Sequence, residues 1–136
     1  STVLHLGPLG AGATMKLAVN SIVFNLNNAV AEALVLAEKA GVARSDAYRV
    51  FMASAIDSPL VRYRQPQFED PEGSPTSFRL VLEAKDFGLI LGLAEAVGAR
   101  MPLSERSAAL VDEAIGAGLG DRDAAYVAVH LRRSDG

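Results

Sequence analysis

The sequence predicts an all-α fold: a helical bundle of five or six helices around one long central helix, with a short strand at the N-terminus. The central helix is predicted by residues 14–40, which contain neither Gly nor Pro and allow about seven helical turns. Later apolar segments of helical length are separated from one another by Gly and Pro residues. Because 136 residues suffice to bury a sizeable core, we expect one domain or most of one.

Composition and charge exclude several classes of function. Half of the residues are hydrophobic, 21% are charged and the net charge is −3, which is ordinary for a soluble globular protein. No basic stripe is present, so we expect no nucleic-acid partner. The chain has no cysteine, which excludes disulfides, thiolate metal sites and a cysteine nucleophile. The two histidines, His5 and His130, are isolated, so we expect no metal site.

The sequence also gives no sign of export or of a membrane span. The first residues lack the charged region and the cleavage pattern of a signal peptide. We therefore expect a cytoplasmic protein with no membrane partner. The longest apolar run is interrupted by four asparagines, which disfavour a transmembrane helix: Asn20, Asn25, Asn27 and Asn28.

The N-terminal elements follow from local patterns. Residues 2–6 alternate β-branched and apolar residues before Gly7 and Pro8, which predicts a short strand. No second strand is evident to pair with it, so we expect this polypeptide to have been cut from a longer one. The long helix follows, and Gly41 is its expected C′ residue.

Shorter helices follow the central one. Ser45 and Ser77 are the expected N-caps of two of them, Pro102 begins another, and Asp121 or Asp123 caps the last. The proline-rich residues between the second and third helices predict a loop with one short helix. The predicted ranges are 45–55, a short helix at 59–65 within the loop 57–77, 77–97, 102–117 and 121–132 or 123–132.

Two polar residues in the apolar first half of the central helix are candidates for chemistry. Lys16 and Asn20 lie four residues apart and therefore share one helical face. Lys16 either extends its ammonium group to water or, with its pKa lowered by the helix dipole and by desolvation, exchanges a proton with an alcohol or carbonyl oxygen. Asn20 is either a satisfied core amide or a group that holds a substrate hydroxyl or carboxylate. The remaining polar residues of this helix we assign to packing or interhelical hydrogen bonds: Asn25, Asn27, Asn28 and Glu32.

A glycine-rich turn and a charged pair complete the candidate residues. Gly7, Gly10 and Gly12 have the wrong order for the dinucleotide-binding fingerprint. They do allow a ligand to approach the backbone, and amide groups at a helix start favour a carboxylate. Lys85 and Asp86 interrupt an otherwise apolar helix, and they are either a solvated edge or part of a site.

The segment HLGPLGAGATMKLAVN resembles the G-x-x-G-x-G-x-x-x-K-x-x-x-N signature of the β-hydroxyacid dehydrogenases. That family includes 3-hydroxyisobutyrate dehydrogenase, tartronate semialdehyde reductase and, more distantly, 6-phosphogluconate dehydrogenase. The likeness continues through AEALVLAEKAG, the Lys85-Asp86 pair, a G-x-x-x-P connection and the late G-x-G-D-R-D-A-A segment. The resemblance implies that residues 9–136 are the family's C-terminal all-helical domain. Residues 1–8 are then the remnant of the last strand and linker of a missing Rossmann domain.

The resemblance also implies roles for individual residues. Lys16 matches the catalytic lysine, the proton donor or acceptor during hydride transfer, and Asn20 matches the asparagine that orients the substrate. Gly12 belongs to the glycine turn near which the substrate carboxylate lies. Lys85 matches the lysine that reaches the cofactor, NAD or NADP. The implied substrate is a small 3-hydroxy acid or semialdehyde, and without the Rossmann domain we expect a chain that folds but is inactive.

Two other functions remain open from the sequence. The chain is either an all-helical dimerisation or interaction module without redox activity, or a domain that binds small acids without transforming them. The enzyme hypothesis requires Lys16 and Asn20 to face one open cleft with Lys85 nearby. In each case the central helix and the helix at residues 78–97 have more apolar surface than a small bundle needs, which predicts a homodimer.

Overall fold

The computed structural model describes Gly7 and residues 10–133, and this part of the chain is all-α, as predicted. It contains seven α-helices and one π-helical segment, more than the five or six helices expected. The predicted strand at residues 2–6 lies outside the described residues. The helices are α1 (Ala11–Lys39), α2 (Arg44–Met52), α3 (Pro59–Tyr63), α4 (Gln65–Glu69), α5 (Leu80–Val97), α6 (Pro102–Ala114) and α7 (Tyr126–Arg133), with the π-helical segment at Ile115–Leu119.

Helix α1 is the centre of the bundle, as predicted, and it contacts α2, α5, α6 and α7. It begins at Ala11, three residues before the predicted start, directly after Gly10 in a left-handed conformation. It ends as predicted: Gly41 has φ 101°, its amide donates to the carbonyl of Glu38 (3.0 Å), and the Val42 amide donates to Ala37 (2.9 Å). This hydrogen-bond pair is the Schellman arrangement, which satisfies the last helical carbonyls and requires a residue that tolerates positive φ.

Apolar residues cover nearly every angle of the first half of α1, which predicts a helix buried on all sides; this prediction is wrong. Its buried face packs in the core, where the Phe24 ring lies 5.5 Å from that of Phe78 and 5.4 Å from that of Phe87. The opposite face is open, and Ile22 is 68% exposed. The difference arises because the other described helices cover only one side of α1 near its N-terminus.

Within the described residues, α1 is the one helix that is long and apolar enough to cross a membrane. The core helices of soluble proteins pass the same test.

Several predicted helix boundaries are wrong for local reasons. Helix α2 begins at Arg44 after Ala43, so Ser45 lies inside it and is not the cap. The predicted helix at 59–65 is two helices, α3 and α4, which meet at Arg64. Pro66, near the start of α4, has no backbone N–H and cannot donate a hydrogen bond to a carbonyl of the preceding turn. This missing hydrogen bond explains the break between α3 and α4.

The later boundaries differ as well. Helix α5 begins at Leu80, not at the predicted cap Ser77. The α-helical part of the fourth predicted helix ends at Ala114 and continues as a π-helical segment containing Gly118 (φ 92°). Helix α7 begins at Tyr126, so neither Asp121 nor Asp123 directly precedes it as an N-cap.

A buried ion pair between Arg64 and Asp123 lies close to Ser77, and all three side chains are hydrogen-bonded to one another. Arg64 and Asp123 are 5% and 2% exposed, and the guanidinium binds both carboxylate oxygens, one of them at 3.1 Å. The same carboxylate accepts hydrogen bonds from the amides of Ser77 (2.9 Å), Phe78 (3.3 Å) and Ala125 (2.8 Å). Asp123 therefore ties the α3–α4 junction to the segments that precede α5 and α7.

These contacts also fix the charge of Asp123. Burial alone would raise the pKa of the Asp123 carboxyl, but the hydrogen bonds from Arg64 and from the Ala125 amide outweigh it and lower the pKa below its ordinary value. The carboxylate is thus ionised at neutral pH and compensates the guanidinium charge inside the protein.

A second buried carboxyl, Glu83 on α5, has no such partner. It is fully buried, and neither of its oxygens has a hydrogen-bond partner among the described residues. Burial raises the pKa of Glu83 to about 8; the nearby charges of Asp123 and Asp86 act in the same direction, and Arg64 opposes them. Glu83 is therefore protonated and uncharged at neutral pH.

Replacing Asp123 with alanine is expected to destabilise the fold by about 3–5 kcal/mol, because the Arg64 guanidinium would remain buried without a counter-ion. Asp121→Ala is the matched control, since Asp121 is exposed in a surface pair with Arg79 and its loss should change stability by less than about 0.5 kcal/mol. Urea denaturation followed by circular dichroism measures both changes. Equal stability of the two variants would contradict a structural role for the pair.

The stability of the chain is expected to fall as the pH rises from 4.5 towards 8. In this range unfolded Glu83 is ionised and folded Glu83 still holds its proton, so the contribution of Glu83 decreases by up to about 1.4 kcal/mol per pH unit. Glu83→Gln, which keeps a neutral side chain of similar shape, should remove this slope, and Glu95→Gln on the exposed face of α5 should not. Urea midpoints of the three proteins across this pH range provide the test, and an unchanged slope in Glu83→Gln would rule out Glu83 as the cause.

Candidate active site

A cavity of about 420 Å³ opens beside the first half of α1. One wall is the face of α1 that carries Lys16 and Asn20, and the opposite walls come from α3, from the segment before α5 and from α5 itself. Its volume lies in the range of small-molecule sites. It is lined by Lys16, Asn20, Val23, Phe24, Asn27, Leu60, Tyr63, Arg64, Ser77, Phe78, Asp86 and Ala124.

The structure brings the two principal candidate residues together. Lys16 and Asn20 lie one turn apart on α1 and both line the cavity. Lys16 is exposed, whereas Asn20 is partly buried. The burial expected around Lys16 is absent from the described residues, because nothing in them covers the N-terminal turns of α1. Its ammonium group is therefore accessible to a ligand that enters the cavity.

The other two candidate residues are not part of the lining. Gly12 is exposed and is part of α1, one helical turn before Lys16. It therefore belongs to the helix and not to a glycine loop that could surround a ligand. Lys85 is exposed on α5, and its neighbour Asp86 lines the cavity. Lys85 thus lies next to a lining residue without being one itself.

Two asparagines deeper along α1, Asn25 and Asn27, make hydrogen bonds to segments outside α1, whereas the Nδ2 of Asn28 has no hydrogen-bond partner among the described residues. The side-chain amide of Asn27 donates to the carbonyl of Ala124 (3.2 Å), and that of Asn25 donates to the Ser104 hydroxyl (3.1 Å). Asn27 is buried at the inner end of the cavity and holds the segment before α7 against α1. Its amide is therefore committed to the fold.

Sequence analysis missed the far wall of the cavity. Arg64 lies in the proline-rich region, and no motif or periodicity marks it as a site residue. Ser77 was assigned a helix cap, but its hydroxyl accepts a hydrogen bond from Arg64 at 2.6 Å. Phe78 contributes an apolar surface opposite α1. Among the lining residues outside α1, only Asp86 is indicated by the sequence, as a charge that interrupts an apolar helix.

The positive and negative side chains around the cavity compensate one another. Lys16 and Arg64 are cationic, and Asp86 lines the same space with a carboxylate. Asp123 compensates Arg64 from behind the wall. Because the nearby Glu83 is protonated at neutral pH, it adds no further negative charge, and the cavity remains compatible with an anionic ligand. Within residues 10–133 and Gly7, no three His, Cys, Asp or Glu side chains are grouped to hold a metal ion.

Comparison with known proteins identifies the family of this chain. Residues 10–131 match the family described as NAD-binding of NADP-dependent 3-hydroxyisobutyrate dehydrogenase. Among curated relatives, glyoxylate/succinic semialdehyde reductase 2 (chloroplastic) of Arabidopsis thaliana is 34% identical over 94% of this chain and 36% of its own length. Glyoxylate/succinic semialdehyde reductase 1 of the same plant is 33% identical over 88% of this chain and 41% of its own length.

Solved structures show the same domain. The crystal structure of 3-hydroxyisobutyrate dehydrogenase from Salmonella typhimurium superimposes with a TM-score of 0.87 at 27% identity, over 96% of this chain and 46% of that one. The Mycobacterium tuberculosis enzyme, solved with L-serine, gives 0.82 at 28% identity, over 96% and 47%. The chain spans less than half the length of these relatives. The predicted family is confirmed: this chain belongs to the NAD-binding family of NADP-dependent 3-hydroxyisobutyrate dehydrogenases.

Proposed function

We propose that this chain is the substrate-binding and proton-transfer domain of an NAD(P)-dependent dehydrogenase. The enzyme interconverts a small 3-hydroxy acid and its semialdehyde, with Lys16 as the catalytic residue and Asn20 as the residue that orients the substrate. The observation that carries the proposal is that Lys16 and Asn20 line one open cavity, opposite an apolar wall that includes Phe78. An interaction module would have no need to direct these two side chains into one cavity.

The proton transfer follows from the chemistry of the two side chains. In oxidation, the substrate carbon gives up a hydride while its hydroxyl gives a proton to the Nζ of Lys16, which must then be unprotonated. In reduction, the Lys16 ammonium returns that proton to the carbonyl oxygen. The amide of Asn20, one turn further along α1, offers both donors and an acceptor to hold the same oxygen or a neighbouring one. Because Lys16 is accessible, its proton can exchange with solvent between turnovers.

The start of α1 suits the carboxylate of such a substrate. The first amides of a helix have no intrahelical acceptor and carry the positive end of its dipole. In α1 no acidic side chain occupies the first turn and no side chain caps it after Gly10. Gly12 contributes here by leaving the backbone of this turn uncovered: nothing lies within 4 Å of where its Cβ would be.

The residues of the cavity suit only the nicotinamide end of the cofactor, which exchanges the hydride, and not its pyrophosphate. The glycine order of the sequence is not that of a dinucleotide fingerprint, so the pyrophosphate must be held by residues outside this chain. Lys85 is exposed beside Asp86 at the cavity, where it would contact the bound cofactor. When bound, the nicotinamide supplies or accepts the hydride. Whether NAD or NADP is used depends on residues outside this chain that contact the ribose 2′ position.

The proposal has two further parts. The isolated chain is inactive because it lacks the dinucleotide-binding half, and the protein is a homodimer. Support for the dimer is the exposed apolar surface of α1, in particular Ile22 and Leu36 at 68% and 73% exposure. The cytoplasmic location stays a prediction.

In the full-length parent protein, Lys16→Ala is expected to lower kcat by about 10²–10⁴-fold, because proton transfer loses its positioned acid and base. The assay follows NADH or NADPH absorbance with a panel of small 3-hydroxy acids and semialdehydes. Lys39→Ala is the control, since Lys39 lies in the last turn of the same helix, roughly 34 Å from Lys16. Full activity in Lys16→Ala, with the fold intact by circular dichroism, would remove Lys16 from the mechanism.

The isolated 136-residue chain is expected to show no cofactor-dependent turnover in the same assay, whereas the parent is active. Adding substrate should leave NADPH absorbance at the background rate, since the proposal places the residues that hold the pyrophosphate outside this chain. Measurable turnover by the isolated chain, abolished in Lys16→Ala, would contradict the division of labour proposed for the two halves.

A further inference from the structure

One buried carboxyl group, that of Glu83 on α5, is used neither by the fold nor by the proposed chemistry. The side chain is fully buried, and neither of its oxygens has a hydrogen-bond partner among the described residues. A polar group that is buried and unpaired costs free energy, which an apolar side chain of similar size would avoid. A carboxyl in this place therefore requires an explanation other than packing.

Glu83 is connected to the cavity through its charged neighbours. Asp86, one helical turn further along α5, lines the cavity together with Lys16. Arg64 also lines it, and Asp123 is the counter-ion of Arg64 behind the same wall. The guanidinium favours the ionised form of Glu83, and the two aspartate carboxylates oppose it. The charge of Glu83 is thus coupled to groups that form the cavity.

The charges that act on Glu83 come from three parts of the fold. They lie on α5 itself, at the α3–α4 junction and in the segment before α7. Helices α1 and α6 and the π-helical segment also pack against α5, and none of their described residues adds a charge to this set. The ionisation of Glu83 is therefore governed by its burial, by the Arg64–Asp123 pair and by Asp86.

Ionisation of Glu83 would change the charge balance behind the far wall of the cavity. With Glu83 neutral, one buried guanidinium is compensated by one buried carboxylate. With Glu83 ionised, two buried carboxylates compete for the same guanidinium, which cannot lose its proton. The hydrogen bond from Arg64 to the Ser77 hydroxyl is then the contact most easily given up, because that acceptor is uncharged. Ser77 and Phe78 both line the cavity, so a change there affects a bound ligand.

We propose that Glu83 is a positioning residue that allows the cavity to bind an anionic ligand only while its own carboxyl is protonated. The neutral carboxyl leaves Arg64 hydrogen-bonded to Ser77 and the far wall in place. The carboxylate draws Arg64 towards α5 and adds a negative charge one turn from Asp86, and both effects oppose a bound anion. Because burial raises the pKa of Glu83 to about 8, the change falls in mildly alkaline solution. The identity of the anion, the carboxylate of a small hydroxy acid, rests on the proposed function.

Nuclear magnetic resonance of the 136-residue chain tests the effect on the wall without any ligand. The backbone amides of Ser77, Phe78 and Ala125 donate to the Asp123 carboxylate, so their proton–nitrogen correlation signals report on the ion pair. Between about pH 6 and about pH 10, these three signals are expected to shift together with a midpoint at about pH 8. The side-chain carboxyl carbon of Glu83 should give the same midpoint, and this measurement needs no variant.

Two variants identify the group that titrates. Glu83→Gln keeps a neutral side chain of similar shape and should abolish the shift of the three amide signals. Glu95→Gln, on the exposed face of the same helix, should retain it. Amide signals that do not titrate in the unmodified chain, or that titrate equally in Glu83→Gln, would overturn the proposal.

Steady-state kinetics of the full-length parent test the consequence for the substrate. With the hydroxy acid that the parent turns over fastest, KM is expected to rise by up to about tenfold between about pH 7 and about pH 9, because ionised Glu83 outnumbers the protonated form by about ten to one at the higher pH. Glu83→Gln should remove this rise in KM without changing the pH dependence of kcat, which belongs to Lys16. The same rise in KM in Glu83→Gln would contradict the role proposed for Glu83.

The two experiments separate this inference from the proposed function. A parent that turns over no hydroxy acid would remove the proposed function, and the amide signals would still decide whether Glu83 controls the cavity wall. Amide signals that do not titrate would overturn the inference and leave proton transfer by Lys16 unaffected.

Discussion

The buried pair of Arg64 and Asp123 holds together the side of the molecule on which the candidate site is built. One carboxylate receives the guanidinium of the α3–α4 junction and backbone amides from the segments before α5 and α7. Each of these three segments contributes to the cavity wall that faces α1. A buried ion pair is worth little to stability by itself, but a carboxylate with this many donors fixes several backbone segments at once. The geometry of the cavity therefore depends on an interaction between residues 59 positions apart.

Two sides of helix α1 differ in polarity and in what they face. The side with Lys16 and Asn20 faces the cavity, whereas another side carries exposed apolar residues such as Ile22. Phe24 and Asn27 hold the helix to the rest of the bundle. The helix can be this apolar in a small bundle because only part of its surface is covered within the described residues. Its composition reflects a core face, a site face and an exposed apolar face on one helix.

The features that could be predicted from sequence are local. The end of α1 at Gly41 follows from the conformational freedom of one glycine, and the shared face of Lys16 and Asn20 follows from helical spacing alone. The family could be recognised because its first motif lies in one continuous segment. The cap assigned to Ser77 is wrong because α5 begins only at Leu80; Ser77 instead binds Asp123 across 46 positions, a contact with no local signature.

The far wall of the cavity could not be predicted for the same reason. Arg64 and Phe78 come to the cavity from a proline-rich region and a loop, where neither periodicity nor a motif indicates which way a side chain points. The extent of burial around α1 was overestimated because apolar content does not distinguish a core face from an exposed one.

The measurement that tests the central claim most directly is a crystal structure of the full-length parent with the oxidised cofactor and the hydroxy acid that it turns over fastest. The account predicts the substrate hydroxyl within hydrogen-bond distance, about 2.6–3.2 Å, of the Nζ of Lys16, with Asn20 contacting the same molecule. A substrate bound outside this cavity, or in it with Lys16 directed away, would contradict the account.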